Sequence, residues 1–545
     1  MALRKNRWVK RIIAAGMTVS MALTSTVPIL AESMTENNQE MTEESITGDE
    51  IASEPAEEQT ESTIDEEQEV QLSLELIAEE EVADSQKPSL TLHDAETLSE
   101  KLKVNDKTIE VRDGDGLILL SNVNPEEYYT GYTIQLITTS GWDLTQPLTL
   151  SGSTYSFLGL GDETHPYEGG FKLDTSTSAK QYSIMTSKAV FNALSTKAEL
   201  AETIPFSISE STSAMTNPLL AEKLKSDTGK TTLKASIVLR NLNSDKISEA
   251  VIGGLIGTME ADTHADLTFE NQLTKDLTIR TTSHTGLFCN TMDKNASLTA
   301  EFKKASSAGN VKVEAGMDAG GFVGHMEADS SLTVAGCSVN QVTSDSGNAG
   351  GLVGSSIDGN LCVASVEEST MPFTFADTLT LQAATDKAAG GLIGAYSVEN
   401  PKENSISYDL SHYTFENFTI SGGQDVGGLF GLLKNTSTTA SQISINLGNT
   451  ANASNSVSTA VSASVTNFGG LIGKYQSSLM ANTLSIKGNS GSFIQAASTG
   501  GTNTSDSYGG IVGTISESSY VEIENVSAST ADMKKNPNAS FGGLA

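Results

Sequence analysis

The chain has 545 residues, with 33 basic against 68 acidic side chains and a formal net charge of −35; 37% of it is hydrophobic and 6% aromatic. An acidic excess of this size argues against nucleic acid and anionic membrane as partners, because both are bound through Lys and Arg that displace counterions. Three cysteines cannot form a disulfide scaffold, so an apolar or ladder-like core has to hold the chain together.

Residues 1–31 carry Arg4, Lys5, Arg7, Lys10 and Arg11, no acid, and then an apolar stretch from Ile12 to Ala31. This is the pattern of a secretory signal peptide with cleavage after Ala31. Gly16, Ser20, Thr24 and Pro28 leave the stretch weakly hydrophobic for a permanent anchor. The long basic start, with no lipidation cysteine near the cut, fits a Gram-positive bacterium, and the expected location is extracellular or on the cell surface. No later apolar run reaches spanning length, so no membrane insertion is expected once the signal is removed.

Residues 32–90 read as a disordered acidic linker. They hold 20 acids against the single base Lys87 and no aromatic residue, so little apolar surface is available to offset chain entropy. Residues 91–250 read as an N-terminal cap and the first coils of a larger β body. Val111–Leu120 suggests a turn and a strand, Tyr129–Leu136 a strand opening, and Ala189–Leu200 a short helix before strands resume at Leu233–Leu242.

From residue 251 to 545 one motif recurs. It appears as Gly253-Gly254-Leu255-Ile256-Gly257, Gly320-Gly321-Phe322-Val323-Gly324, Gly350-Gly351-Leu352-Val353-Gly354 and Gly390-Gly391-Leu392-Ile393-Gly394. It returns as Gly427-Gly428-Leu429-Phe430-Gly431, Gly469-Gly470-Leu471-Ile472-Gly473 and Gly509-Gly510-Ile511-Val512-Gly513. Thr285-Gly286-Leu287-Phe288-Cys289 reads as a degraded copy, and Gly542-Gly543-Leu544-Ala545 as a copy cut off by the chain end, which suggests a truncated gene product. A small fixed motif with spacers of 30–42 residues marks a solenoid with one turn per repeat. Between motifs, segments such as Ser331–Val339 and Leu361–Val366 alternate apolar and polar residues at strand length. The predicted fold is therefore all-β: a parallel, right-handed β-helix with about three short strands per coil. Its motif leucines and valines should stack coil on coil, roughly 4.8 Å apart, as continuous inward ladders.

The Gly-Gly-Leu-Val-Gly units resemble the GLUG-motif repeats of bacterial extracellular proteins, and Tyr129–Phe171, with Phe157-Leu158-Gly159-Leu160-Gly161-Asp162, looks like the segment that often precedes them. The resemblance spans most of 110–545 and implies a β-solenoid surface or secreted protein, often adhesin-like. Some relatives are immunoglobulin-cleaving metallopeptidases. This chain departs from those, since none of its six histidines is followed by Glu and a His-Glu-x-x-His zinc site needs that pair. A sortase signal and wall-anchoring repeats are also missing from it.

Few residues suggest chemistry. Asp113-Gly114-Asp115-Gly116 has the start of a calcium loop without its later ligands, and Asp-Gly pairs are ordinary turn formers. Glu260-Ala261-Asp262 and Glu327-Ala328-Asp329 occupy like positions of their repeats and read as solvated turns, with a stacked cation or sugar site as the sharper alternative. His264, His284 and His325 fall at unlike repeat positions and read as loop residues. Cys289, Cys337 and Cys362 read as small hydrophobes. Trp142, with Tyr128, Tyr129 and Tyr132, is expected to cap the first coil rather than to stack on sugars. No catalytic, cofactor-binding or metal residue is assigned, and no cofactor is expected. The predicted function is that of a non-catalytic adhesin, binding or spacer module. Its expected partners are host glycans or extracellular proteins, held on coil faces or on long loops at Ser397–Tyr413 and Ser437–Val465. A carbohydrate-active β-helix enzyme, or the non-catalytic part of a larger surface peptidase, are the alternatives. Such an enzyme should gather three or more acids, or a basic catalytic residue, on one coil face.

Overall fold

The structure, a computed structural model, describes residues 90–545 apart from 125–128, 138–140, 175–182, 209–215, 227–230, 241–249, 364–372, 376–377, 402–404, 411–414, 448–455, 462–464, 489–492, 499–506, 517–518, 532–539 and 543–545. The expected signal peptide and acidic linker lie outside the described residues.

Alternating sequence of the kind seen at Ser331–Val339 buries every second side chain, and here it does so in a parallel β-solenoid. One coil shows the pattern. Ala349–Gly350 is a short strand, Val353–Ile357 follows the corner, Asn360–Val363 lies beyond a turn, and Leu379–Gln382 returns towards the next motif. Each pairs in parallel with its equivalent in the neighbouring coils. The sheets built this way have ten strands (Phe191–Ser195 to Val512–Ile515), nine (Ala250–Ile252 to Ser527–Ala531) and eight (Thr285–Gly286 to Ser540–Gly542). The remaining wall consists of an eight-stranded sheet, Trp142–Asp143 to Asn360–Val363, and then a separate four-stranded one from Ser405–Asp409 to Tyr520–Glu524. Each full coil thus has four strands where the sequence suggested about three. The extra strand is only two or three residues long and contains the first motif glycine, so it offers no hydropathic alternation to read.

The motif is the corner between the shortest strand and the next one. Its third position, Leu255, Phe288, Phe322, Leu352, Leu392, Leu429, Leu471 and Ile511, is buried in each of these coils, and so is its fourth. Like residues stack on like: the rings of Phe288 and Phe322 lie 5.1 Å apart and nearly parallel. Burying one such side chain stabilises the fold by roughly 1.5–3 kcal/mol. Three of the five positions exclude any side chain. At Gly350 a methyl would overlap the Val353 carbonyl oxygen of the same corner, and at Gly351 the Gly391 carbonyl oxygen of the next coil. At Gly354 it would lie 2.5 Å from the Gly324 carbonyl oxygen of the preceding coil.

Pairing shifts the degraded copy by one residue. Gly286 pairs with Gly320, and Cys289 with Ile256 and Val323. The unit is therefore Gly286-Leu287-Phe288-Cys289-Asn290, with Leu287 at the second glycine and Asn290 at the last. Asn290 replaces the missing glycine's tight approach with bonds: its Oδ1 accepts from Gly286 N, and its Nδ2 donates to Gly253 O.

Ahead of the coils, the strands Leu102–Asn105, Thr108–Val111, Thr133–Leu136, Gly170–Leu173 and Glu199–Leu200 form a five-stranded sheet, parallel except for its first hairpin. The expected turn and strand at Val111–Leu120 is instead a helix, Gly114–Ser121, capped by Asp113, whose side chain accepts from Gly116 N. Its glycines are contact residues, not turn formers: a methyl on Gly114 would collide with Asp143 backbone, and one on Gly116 with Lys101 O. The helix expected within Ala189–Leu200 is the strand pair Phe191–Ser195 and Glu199–Leu200. The ladder decides this, since Phe191–Ser195 pairs with Ala221–Lys225 and starts the ten-stranded sheet. Leu160 and Tyr167 bridge to that same strand and are fully buried, while Tyr129 Oη accepts from Gly161 N. Trp142 opens the next wall at 1% exposure, as the reading of it as a cap for the first coil requires.

Replacing Gly350 with Ala should destabilise the protein by more than about 3 kcal/mol, because a backbone corner cannot yield to a methyl. An Ala395→Ser change, at a variable position of the ten-stranded sheet, should be neutral within about 0.5 kcal/mol. Urea unfolding of both variants checks the contrast.

Candidate functional site

Two features break the regular surface. The first is a seam between two sheets. The eight-stranded wall ends at Asn360–Val363, and the four-stranded wall begins at Ser405–Asp409 with no ladder joining them. Between them opens a cleft of about 510 Å³, within the size range of small-molecule sites. Asp329, Asp358, Asn360 and Ser407 line it, beside the buried Tyr396. Tyr396 is held there because its hydroxyl donates to Gly359 O. Asp358 is at a left-handed turn position, φ 46°, and its carboxylate accepts from Glu399 N and Asn400 N, which fixes one lip. Asn360 and Ser407 are exposed. Neither stretch expected as a long loop is one: Ser397–Tyr413 contains the strand Ser405–Asp409, and Ser437–Val465 contains Gln442–Asn446 and Ser456–Val461. The alternation of Ile406 and Tyr408, and of Ile443 and Ile445, with polar residues marks these strands within the two stretches.

The second feature sits at the corner itself. His284 and Asp318 occupy the same position, two residues before the first motif glycine, in successive coils; His325 follows the last glycine of the second coil. The corner brings the three together, with ligand atoms all within 4.8 Å of one another. The imidazoles stack, ring centroids 4.9 Å apart. His284 Nδ1 is buried, out of line for any hydrogen bond, and 3.3 Å from Asp318 Oδ2. Ser355 Oγ donates to Asp318 Oδ2 at 2.7 Å and lies 2.6 Å from His325 Nδ1. His325 Nε2 is 3.2 Å from Glu327 Oε1. Asp318 Oδ1 accepts from both Asn348 N and Asn348 Nδ2. Burial pushes the Asp318 carboxyl up, but His284, Ser355 and the Asn348 N–H outweigh it and hold it at about 2. The sequence reading kept these histidines apart as loop residues; the fold joins His284 and His325, and His325 and His264 are on strands.

Beside this cluster runs a column of acids. Lys225, Glu260, Asp293 and Glu327 fall in register on consecutive coils. Lys225 Nζ contacts Glu260 Oε1 at 3.2 Å and Glu163 Oε2 at 2.8 Å. Burial, and then Glu260 and Glu327, push the Asp293 carboxyl up. Asp262 and Asp329, the ends of the two Glu-Ala-Asp segments, are left-handed turn residues at φ 61°. Asp113 pairs with Lys101 at 2.6 Å besides capping its helix. Burial raises the Cys289 thiol to about 12 and that of Cys337 to about 11, so neither supplies a thiolate near neutral pH. Among the described residues no helix is long and apolar enough to cross a membrane. Comparisons with protein-family models, curated proteins and solved structures found no match for this chain.

A carboxyl whose folded pKa lies below its unfolded value contributes stability above the unfolded pKa and loses it as pH falls through the folded one. Asp318→Asn should therefore cost about 2 kcal/mol near neutral pH. That gap to the parent should close between pH ~4 and ~2; denaturant melts of both proteins across this range give the difference directly.

Proposed function

We propose that the chain is an exported, non-catalytic β-solenoid of a bacterial surface, and that it binds extracellular glycans or host proteins through the seam cleft. The cleft is the observation that carries this reading. It is open, Asn360 and Ser407 present an exposed amide and hydroxyl to it, and Asp358 fixes one lip. Sugars offer many hydroxyl groups to such a surface. Export is supported by the basic and apolar start of the chain, and the surface role by the resemblance of its repeats to GLUG-motif proteins.

A second reading, a carbohydrate-active enzyme, is favoured by the acid column. Glu260, Asp293 and Glu327, with Lys225 at the head of the column, meet the criterion of three acids on one coil face.

An array of glycans and extracellular proteins, probed with the full chain beside a polysaccharide-degradation screen, separates the two. Binding should appear, and Asn360→Arg, which fills the cleft from an exposed position, should weaken it about tenfold or more, ~1.4 kcal/mol. Release of sugar fragments that Asp293→Asn abolishes would replace the binding reading with the enzymatic one. Fractionation of the producing bacterium should find the chain outside the cytoplasm and starting at Glu32; full-length chain in the cytoplasm would overturn export.

A further inference from the structure

We propose that His284, Asp318 and His325 form a binding site for a divalent transition-metal ion of the zinc type, which would clamp two adjacent coils at the corner. The inference is independent of what the cleft binds. Two imidazoles and one carboxylate are a borderline donor set, suited to Zn²⁺, Ni²⁺ or Cu²⁺ and poor for Ca²⁺, which takes oxygen ligands. Three protein ligands leave a coordination position open, and the side chains are 14–20% exposed, so an ion can reach them from solvent.

The donor atoms are specified by the surroundings. His284 Nδ1 is buried with no hydrogen-bond partner and already 3.3 Å from Asp318 Oδ2. That is close to the roughly 3.3 Å between two ligands of one tetrahedral ion with bonds of about 2 Å. His325 Nδ1 approaches the same oxygen through Ser355 Oγ, 2.6 Å from the ring and 2.7 Å from the carboxylate. To bind the ion, His325 Nδ1 turns from the hydroxyl to the metal, while Ser355 keeps its bond to Asp318. The outer groups are in place. Glu327 accepts from His325 Nε2–H, the carboxylate support common to metal-bound histidines, and Asn348 fixes the other Asp318 oxygen. Side-chain torsion alone must close the remaining gap, since the three donors lie within 4.8 Å of one another. The site also occurs where the repeat is degraded: His284 is two residues before the first glycine of the unit in which Asn290 replaces the last one.

The test is zinc titration of the untagged full chain near neutral pH against a chromophoric chelator, with the double variant His284→Gln/His325→Gln and the control His264→Gln. The parent and the control should each hold one Zn²⁺ at least about 100-fold more tightly than the double variant. Equal affinity in the double variant, or no tight ion in the parent, overturns the site. Far-ultraviolet circular dichroism shows whether the double variant keeps its β signal. If it does not, footprinting on the parent decides: Zn²⁺ should protect His284 and His325, but not His264, from diethyl pyrocarbonate, and equal labelling of all three with and without zinc rejects the proposal.

Discussion

The structure depends on how closely backbone can approach backbone at one corner. In the motifs at Gly320 and Gly350 the first glycine meets its own corner, the second faces the next coil, and the fifth faces the preceding one. These contacts leave no room for a Cβ, and they bring successive corners near enough for their carbonyls and amides to pair. Leu352 N donates to Leu392 O, and Leu392 N to Leu429 O, in an unbroken chain of bonds along the corner. The large residues at the third and fourth positions follow from this, because a corner fixed by backbone presents the same two side chains inward in every coil. Like stacks on like, and apolar burial accumulates along the body without any long-range sequence complementarity.

The same regularity explains what could be read from sequence. A motif repeated at 30–42 residues with alternating segments between copies leaves few architectures open, and the parallel coils and inward ladders follow. Failures occurred where a residue's local preference and its tertiary partner disagree. Gly114 and Gly116 look like turn residues, yet they are inside a helix because the Asp143 and Lys101 backbones press on it. Ala189–Leu200 is rich in helix formers, but the ladder with Ala221–Lys225 holds its first half as strand. The register of the degraded motif slipped by one because Leu287 and Phe288 are both plausible third-position residues. Only the pairing of Gly286 with Gly320 separates them.

The candidate sites were less legible, for a geometric reason. A period in the sequence reports residues that stack, whereas a corner also joins positions that do not. His284 and Asp318 stack, but His325 reaches them across the motif, seven residues from the stacked column in repeat coordinates. No spacing rule for helices or hairpins contains that relation; it appears once the corner is known. The seam cleft was hidden differently. It exists because Asn360–Val363 and Ser405–Asp409 do not pair, and a missing ladder has no sequence signature.

Both candidate sites lie where the repeat is least regular, and this is a physical consequence of the scaffold. Where coils are identical, each surface position is a column of similar groups at one spacing, suited to extended contacts but unable to converge on a single atom. Convergence needs unlike neighbours. The corner supplies them at His284, Asp318, His325 and Ser355, where stacked positions carry an imidazole, a carboxylate, an imidazole and a hydroxyl instead of one residue type. The hydrogen bonds of Asn290 to Gly286 and Gly253 show how the wall tolerates such a departure: a polar side chain there replaces a close backbone contact with bonds of its own. In a solenoid of this kind the core tolerates little variation, so specific chemistry has to enter through degraded repeats and interrupted ladders.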